Sequence, residues 1–164
     1  MARAPVRGKQ PARRRRGAES LATECVVNLI RTEGLVAAEL DRIFRRHGLT
    51  GPGYNVLAIL AGAGAALPPY VIGERLLVTR GTVTGLLDSL EKRGLVRRTP
   101  HPRDRRMLLV ELTADARPLM RKVARGLFPA QEEMTSVLSD REKETLVGLL
   151  GKLQAHLRRR PSAG

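Results

Sequence analysis

The chain is poor in cysteine and aromatic residues, and these shortages exclude several kinds of protein. Of its 164 residues one is cysteine, none is tryptophan and 2% are aromatic. A single cysteine excludes an internal disulfide and suits a reducing cytoplasm. With so few rings, the core must be built from Leu, Val, Ile and Ala, which favours helix-on-helix packing. No apolar run approaches the roughly 20 residues that span a bilayer, and the Arg-rich N-terminus lacks the apolar segment of a secretory signal.

Acidic residues are also scarce, at 16 against 30 Lys and Arg, which leaves a net charge of +14. The excess is confined to three places. Residues 1–17 carry seven basic residues and no acid, residues 97–106 hold five arginines against one aspartate, and residues 158–160 are all arginine. Positive charge gathered at both ends and in one internal segment is typical of a protein that binds a polyanion.

Two segments precede the middle of the chain. Residues 1–19 are rich in Pro, Gly and Arg without a hydrophobic period, which predicts a disordered basic arm. From Ser20 to Gly48 apolar residues recur at helical spacing, which predicts a helix about 40 Å long. Such a length exceeds what a small domain needs and indicates contact outside its own core. The helix carries Cys25, which we expect to pack on its apolar face, with a redox-sensing role as the alternative.

The middle of the chain, residues 51–112, predicts three short helices followed by a hairpin. The second of these helices, at about residues 69–77, contains Gly73 and has no capping side chain before it. Tertiary packing must therefore hold it. The third helix follows the N-cap residue Thr79 and ends at Gly94, which has the position of a C-terminal left-handed cap.

The third short helix has two unlike faces. One is apolar and has the spacing of a core-facing stripe, with Val83, Leu86, Leu87 and Leu90. The other is small and polar, and consists of Arg80, Gly81, Thr84, Gly85, Asp88 and Lys92. Extended residues at 95–99 and 107–112 then flank a run of arginines, which predicts a hairpin with a basic tip. A polar helix followed by a basic hairpin fits two adjacent grooves of DNA.

The C-terminal segment, residues 113–158, predicts two further helices. We expect Thr113 to cap the first, which Pro129 ends. Ser139 and Glu142 have the spacing of a capping box at the start of the second. Leucines then recur there at near-heptad spacing, which indicates a dimer seam rather than a ligand groove.

This order of elements resembles the MarR family of bacterial transcriptional regulators over residues 20–158. The resemblance rests on four stretches: YNVLAIL at 54–60, RLLVTRGTVTGLLDSLEKRGLVRR at 75–98, PRDRR at 102–106 and LLVELT at 108–113. It implies a mainly α domain over residues 20–160 with a small two-stranded β wing. In it, residues 51–112 form a winged helix-turn-helix, and the helices at 20–47 and 113–158 hold a homodimer together.

The resemblance further implies that the homodimer binds a palindromic operator in double-stranded DNA and releases it to a small-molecule effector or an oxidant. The DNA contacts on the recognition helix would be Arg80, Gly81, Thr82, Thr84 and Asp88. Those of the wing would be Arg103, Asp104, Arg105 and Arg106. Within the wing, Asp104 would hold Arg106, the last residue of an Asp-x-Arg pattern.

Other classes of function have weaker support in the sequence. Without a nucleophile–base pair, a phosphate-binding loop or paired carboxylates, we predict no enzyme and no cofactor. His47, His101 and His156 are widely separated, so we predict no metal site. The resemblance leads us to expect a sequence-specific repressor, cytoplasmic and associated with the nucleoid, without a membrane partner. The alternatives are a nucleoid protein that coats DNA without sequence preference, or a module that binds membranes or polyanions through its basic ends.

Overall fold

The structure, a computed structural model, describes residues 20–104 and 106–159. The predicted basic arm, together with Arg105 and Arg160, lies outside these residues. The chain divides into two units, residues 1–35 and residues 36–164. In the first unit the described residues form the beginning of one long helix. The second unit contains the rest of that helix and every other element.

Six helices and two strands make up the described chain. In order they are α1 (Leu21–Arg46), α2 (Gly51–Ala63), α3 (Pro69–Leu76), α4 (Arg80–Lys92), β1 (Val96–Pro100), β2 (Leu108–Leu112), α5 (Ala116–Thr135) and α6 (Asp140–Arg158). The mainly α fold with a two-stranded wing is therefore confirmed. None of the described helices is both long and apolar enough to cross a membrane.

The predicted starts of three helices are confirmed in part by local hydrogen bonds. The Thr79 hydroxyl accepts from the backbone N–H of Thr82 at 3.3 Å, which satisfies a free donor at the start of α4. Ser139 and Glu142 form the expected capping box at the start of α6. In α3 the residue before the helix is Pro68, which provides no side-chain cap, as the sequence predicts.

The predicted limits of α5 were wrong at both ends. Asp115 occupies the N-cap position without a side-chain capping hydrogen bond, whereas the Thr113 hydroxyl donates to the carbonyl of Gly94 at 2.5 Å. The helix also continues past Pro129 to Thr135. A proline inside a helix removes one backbone hydrogen bond, and its ring clashes with the preceding turn. The sequence pattern could not reveal that the surrounding structure tolerates a proline at this position.

The wing is an antiparallel pair whose register joins Val96 to Leu112 and Pro100 to Leu108. A third segment that the sequence did not predict pairs with it. The Leu67 N–H donates to the carbonyl of Val110 at 2.9 Å, and the Val110 N–H donates back at 2.8 Å. Leu67 precedes a proline, which forces extended backbone on it. This bridge ties the segment before α3 to the wing.

The core of the second unit is aliphatic, as the composition predicts. Its fully buried members include Val56 and Leu57 of α2, Ile72 of α3 and Val110 of β2. Phe44, near the end of α1, is also buried and stacks on Tyr54 with ring centroids 4.8 Å apart. Tyr54 is partly buried against this core, and this burial raises the pKa of its phenol above the ordinary value.

Large apolar side chains of α1 and α6 remain exposed within the single chain. No residue of α6 is buried, and Leu149 of this helix is 58% exposed. In the first unit, Leu21 is 75% exposed, and Cys25 is exposed as well. The expected packing of Cys25 is therefore absent within the described chain. Exposed apolar faces of this extent are typical of interaction surfaces.

Candidate nucleic-acid interface

The predicted recognition helix α4 is buried along one face and open along the other. Val83, Leu87 and Leu90 are 1–3% exposed, and Leu86 of the predicted apolar stripe is partly buried. The residues of the predicted DNA-contacting face are all exposed, and these are Arg80, Gly81, Thr82, Thr84 and Asp88. With a diameter of about 10–12 Å, an α-helix such as α4 fits the width of the major groove.

The open face of α4 is smooth because two glycines lie on it one turn apart. A Cβ added at Gly81 or at Gly85 would meet nothing within 4 Å inside the protein. Packing therefore does not require glycine at either position, although glycine costs about 1 kcal/mol relative to alanine in a helix. Because Gly81 and Gly85 have no side chain, another surface can approach the backbone of α4 closely.

Hydroxyl groups on α4 are partly engaged with their own helix. The Thr84 hydroxyl donates to the carbonyl of Arg80 at 3.1 Å. The hydroxyl oxygens of Thr79 and Thr82 lie 2.9 Å apart. Each hydroxyl retains acceptor capacity for a donor outside the helix.

Helix α4 packs closely on α3, and a buried glycine makes this possible. A Cβ on Gly73 would lie 2.9 Å from Cγ2 of Val83, which is closer than real Cβ contacts come. The glycine that weakens α3 as an isolated helix therefore allows it to approach α4. The turn that joins the two helices contains Leu77 with a φ of 56°, a left-handed conformation that strains a residue other than glycine.

Short-range hydrogen bonds link the described residues of the wing tip. A carboxylate oxygen of Asp104 accepts from the backbone N–H of Arg106 at 3.0 Å. Asp104 thus holds the main chain of Arg106, and the guanidinium of Arg106 forms no ion pair with an acid of the described residues. The N–H of Arg103 donates to Nδ1 of His101 at 3.2 Å. Both Arg103 and Arg106 are exposed.

A residue that sequence reasoning missed, Arg98 of β1, connects the wing to the recognition helix. Its guanidinium lies 2.7 Å from the carboxylate of Asp88 and 2.6 Å from that of Glu91. Its backbone N–H also donates to Glu91 at 3.0 Å. Asp88, predicted to face DNA, is therefore engaged within the protein. The sequence signal was present as acids one turn apart on α4, but only the pairing of the strands brings Arg98 above them.

An open groove of about 1190 Å³ runs between α3, α4 and the wing. Its lining includes four arginines, namely Arg80, Arg98, Arg106 and Arg158. Arg98 is neutralised by its two carboxylates, whereas no acid among the described residues forms an ion pair with the other three. The second unit thus brings together cations from the recognition helix, the wing and the end of α6, which is the charge that a phosphate backbone attracts.

The predicted site residues therefore share one face of the second unit in part. Arg80, Thr84, Asp88 and Arg106 line the groove together, whereas Gly81 and Thr82 of α4 and the tip residues Arg103 and Asp104 do not. Arg105 lies outside the described residues. Within the described ranges, no three residues among His, Cys, Asp and Glu are arranged to hold a metal ion.

Known proteins with similar sequences and structures are transcriptional regulators. The sequence profile of the MarR family matches residues 47–107. The regulator PecS of Dickeya dadantii is 33% identical over 131 residues, which are 79% of this chain and 79% of PecS. The repressor YetL of Bacillus subtilis is 32% identical over 115 residues, covering 70% of this chain and 69% of YetL.

Two solved structures match the fold at 28% sequence identity. A probable transcriptional regulator from Pseudomonas aeruginosa gives a TM-score of 0.73 and covers 82% of this chain and 99% of its own. A mutant MarR from E. coli, solved in complex with operator DNA, gives a TM-score of 0.68 with the same coverage. Together with the helix-turn-helix and wing described above, these similarities show that the chain belongs to the MarR family of DNA-binding transcriptional regulators.

Proposed function

We propose that the protein is a homodimeric, sequence-specific repressor that binds a palindromic operator and is released by a small ligand. One observation carries this proposal: Arg80 and Thr84 of the exposed polar face of α4 line the same groove as Arg106 of the wing. The similar protein YetL is a transcriptional repressor by name, which supports the sign of regulation. Such a repressor acts on the chromosome in the cytoplasm.

In this proposal the recognition helix reads bases and the wing contacts the backbone or the minor groove. Thr82, Thr84 and the glycine Gly81 bring the backbone of α4 close to base edges, because they add little bulk. Arg80 donates to a base or a phosphate from the first turn of α4. The tip residues Arg103, Asp104, Arg105 and Arg106 form the wing contact, with Arg106 entering the minor groove. Asp88 acts indirectly, through Arg98.

The dimer is proposed from the exposed apolar residues of α6 and α1. Leu149, Leu153 and Leu157 are each 39–58% exposed on α6, and a helix with no buried residue cannot be stable by its own packing. We expect Leu153→Asp to produce monomers or aggregates in sedimentation velocity, whereas the wild type sediments as a dimer. A well-folded wild-type monomer at micromolar concentration would contradict the dimer.

The decisive experiment selects bound fragments from the parent genome and compares their affinity with that of scrambled duplexes. A repressor is expected to prefer its operator by about 10³-fold or more, whereas a nucleoid protein would bind all duplexes alike. Arg106→Ala should weaken binding while leaving the melting temperature unchanged. If no duplex is ever preferred, the nucleoid alternative replaces this proposal.

The basic arm is expected to add affinity without specificity. Each phosphate that it neutralises adds about 0.9 to the negative slope of log affinity against log salt. Deleting residues 1–17, which hold seven bases and no acid, should therefore flatten the slope for operator and scrambled DNA alike. Thr84→Ala should leave the slope unchanged and reduce only the preference for the operator. Loss of preference upon arm deletion would instead assign base reading to the arm.

A further inference from the structure

Arg93 connects the end of the recognition helix to the end of α1. Its guanidinium donates to the backbone carbonyl of His47 at 3.0 Å and to the carbonyl of Gly48. Arg93 is the residue that follows α4, and the two carbonyls follow α1 directly. All of these groups belong to the second unit. The contact therefore joins two helix ends that are 45 residues apart in sequence.

Both helices end in the same way, and this leaves the carbonyls available. After α1, the N–H of Leu49 donates to Phe44 and that of Gly48 donates to Arg45, with Gly48 at a φ of 66°. This is the hydrogen-bond pattern of a Schellman motif. It uses carbonyls inside the last turn and does not use those of His47 and Gly48, to which Arg93 donates.

The end of α4 has the same motif, which fixes the origin of the Arg93 side chain. The N–H of Leu95 donates to the carbonyl of Leu90, and that of Gly94 donates to Glu91. Gly94 has a φ of 67°, and Leu95 is 5% exposed. Because the backbone on both sides of Arg93 is held by hydrogen bonds and burial, its side chain leaves the end of α4 in a defined direction.

The Arg93 guanidinium also lies so close to Gly48 that little space remains there for a side chain. A Cβ added at Gly48 would lie 3.3 Å from a terminal nitrogen of Arg93. A guanidinium is planar and its donors have a fixed geometry, so two acceptors define its orientation. It also places a positive charge at the negative end of α1.

We propose that Arg93 is a positioning residue that fixes the direction of α4 against the C-terminal turn of α1, and thereby sets the distance between operator half-sites that the protein accepts. This inference rests on the proposed function, since half-site spacing has meaning only for a dimer. Arg93 contacts neither bases nor ligand in this role. It acts through the recognition helix, whose end it holds.

Half-site spacing is a readout that general destabilisation would not change. Each base pair inserted between half-sites rotates one of them by about 34° and moves it by about 3.4 Å. A dimer with rigidly held recognition helices should therefore discriminate against such insertions, whereas loss of folded protein would reduce binding to every duplex by the same factor.

The experiment measures the affinity of full-length protein for operators with one base pair added to or removed from the centre. For Arg93→Ala, we expect the preference for the natural spacing over the altered ones to fall about tenfold, a factor that corresponds to about 1.4 kcal/mol. Arg93→Lys keeps the charge but cannot reproduce the two-acceptor geometry, so it should show an intermediate preference and an unchanged salt slope. If Arg93→Ala does not fold, the Arg93→Lys variant tests the inference instead.

Lys92→Ala is the matched control, because it removes the neighbouring charge, and Lys92 has no ion-pair or hydrogen-bond partner within the described residues. Because Lys92 lies on the polar face of α4, the change should lower affinity for every duplex by the same factor and preserve the wild-type spacing preference. An unchanged spacing preference in both Arg93 variants would overturn the inference. An equal loss of affinity at every spacing, accompanied by a flatter salt slope, would also overturn it and would make Arg93 a phosphate contact. A wild type that shows no spacing preference would instead overturn the proposed palindromic operator.

Discussion

The guanidinium of Arg98, on the first strand of the wing, lies 2.7 Å from the carboxylate of Asp88 on the recognition helix. Glu91, one turn further along α4, binds the same guanidinium at 2.6 Å. The Arg98 side chain is 20% exposed, whereas its partners are 50% and 37% exposed. Water therefore weakens these pairs, and we assign them a geometric role: they hold the wing in a fixed position beside α4.

The first prediction is that Arg98→Ala weakens operator binding about tenfold with little loss of thermal stability, since partly exposed ion pairs contribute only about 0–1 kcal/mol. The variant loses the support of the wing and leaves two carboxylates facing the phosphates. Adding Asp88→Ala should therefore recover part of the lost affinity, as measured by fluorescence anisotropy.

Arg97→Ala is the control for this experiment. Arg97 also lies on β1 but pairs with Glu111 across the ribbon at 2.7 Å. Replacing Arg97 therefore removes the same charge as Arg98→Ala without detaching the wing from α4. We expect it to reduce affinity less than Arg98→Ala does. If the double variant Arg98→Ala, Asp88→Ala binds no better than Arg98→Ala alone, repulsion between the unpaired carboxylates and the phosphates does not cause the loss of affinity.

The second prediction concerns the contact between Gly73 and Val83. An added methyl group would lie 2.9 Å from Val83, and overpacking of this kind costs about 1–3 kcal/mol. The better helix propensity of alanine offsets about 1 kcal/mol of this. Gly73→Ala should therefore lower stability in the wild type but be tolerated in a Val83→Ala background, where space is available.

Chemical denaturation of the four proteins in this cycle gives the coupling between the two sites. We expect about 1 kcal/mol or more, as for residues in direct contact. Gly126→Ala in α5 is the control, because its added Cβ would make an ordinary contact of 3.6 Å with Ile43. Additive effects of the Gly73 and Val83 changes would show that the close approach is not required.

The third prediction separates stability from DNA binding at Gly85. Alanine at this position meets nothing within 4 Å, so Gly85→Ala should stabilise the protein by up to about 1 kcal/mol. If DNA approaches the backbone of α4 here, the same methyl group should weaken operator binding. Gly62→Ala in α2, which is also in open space, should stabilise the protein without changing affinity. An unaffected operator affinity in Gly85→Ala would place the DNA further from this turn.

The fourth prediction is a pH dependence at the start of α6. Hydrogen bonds from the Ser139 hydroxyl and, secondly, from its backbone N–H hold the pKa of Glu142 below its ordinary value. A pKa that is lowered by folding stabilises the native state above the unfolded pKa of about 4.3, and this stabilisation disappears as the pH falls through the lower, folded value. Thermal melting of wild type and Glu142→Gln between pH 3 and 7 should therefore differ most near neutral pH and converge in acid.

Glu144→Gln is the control for the pH experiment. Glu144 lies on the same helix and has no hydrogen-bond or ion-pair partner among the described residues, so its replacement should leave the pH profile parallel to that of the wild type. A constant difference between wild type and Glu142→Gln at all pH values would exclude the capping carboxylate as the cause.

Local chemistry was sufficient to predict much of the fold. Thr79 and Gly94 delimit the recognition helix because an N-cap oxygen and a left-handed C-terminal residue act within one turn of the chain. The capping box of Ser139 and Glu142 is local in the same sense. The wing was predictable because β-forming residues flank a Pro-bounded run of arginines. Pro129 misled the prediction, since whether a helix continues through proline depends on what surrounds it.

The sequence by itself determined the order of the elements, the faces of α4 and the position of the excess charge, because periodicity, capping and composition are properties of the chain alone. Only the tertiary structure decided that Gly73 serves a close approach to Val83, that Arg98 engages Asp88 and that Arg93 reaches the carbonyls beyond α1. Each of these contacts joins residues of different elements, ten positions apart for Arg98 and Asp88 and 46 for Arg93 and His47, and their geometry depends on how the elements pack in three dimensions. A sequence pattern does not give the distances between side chains in the folded chain.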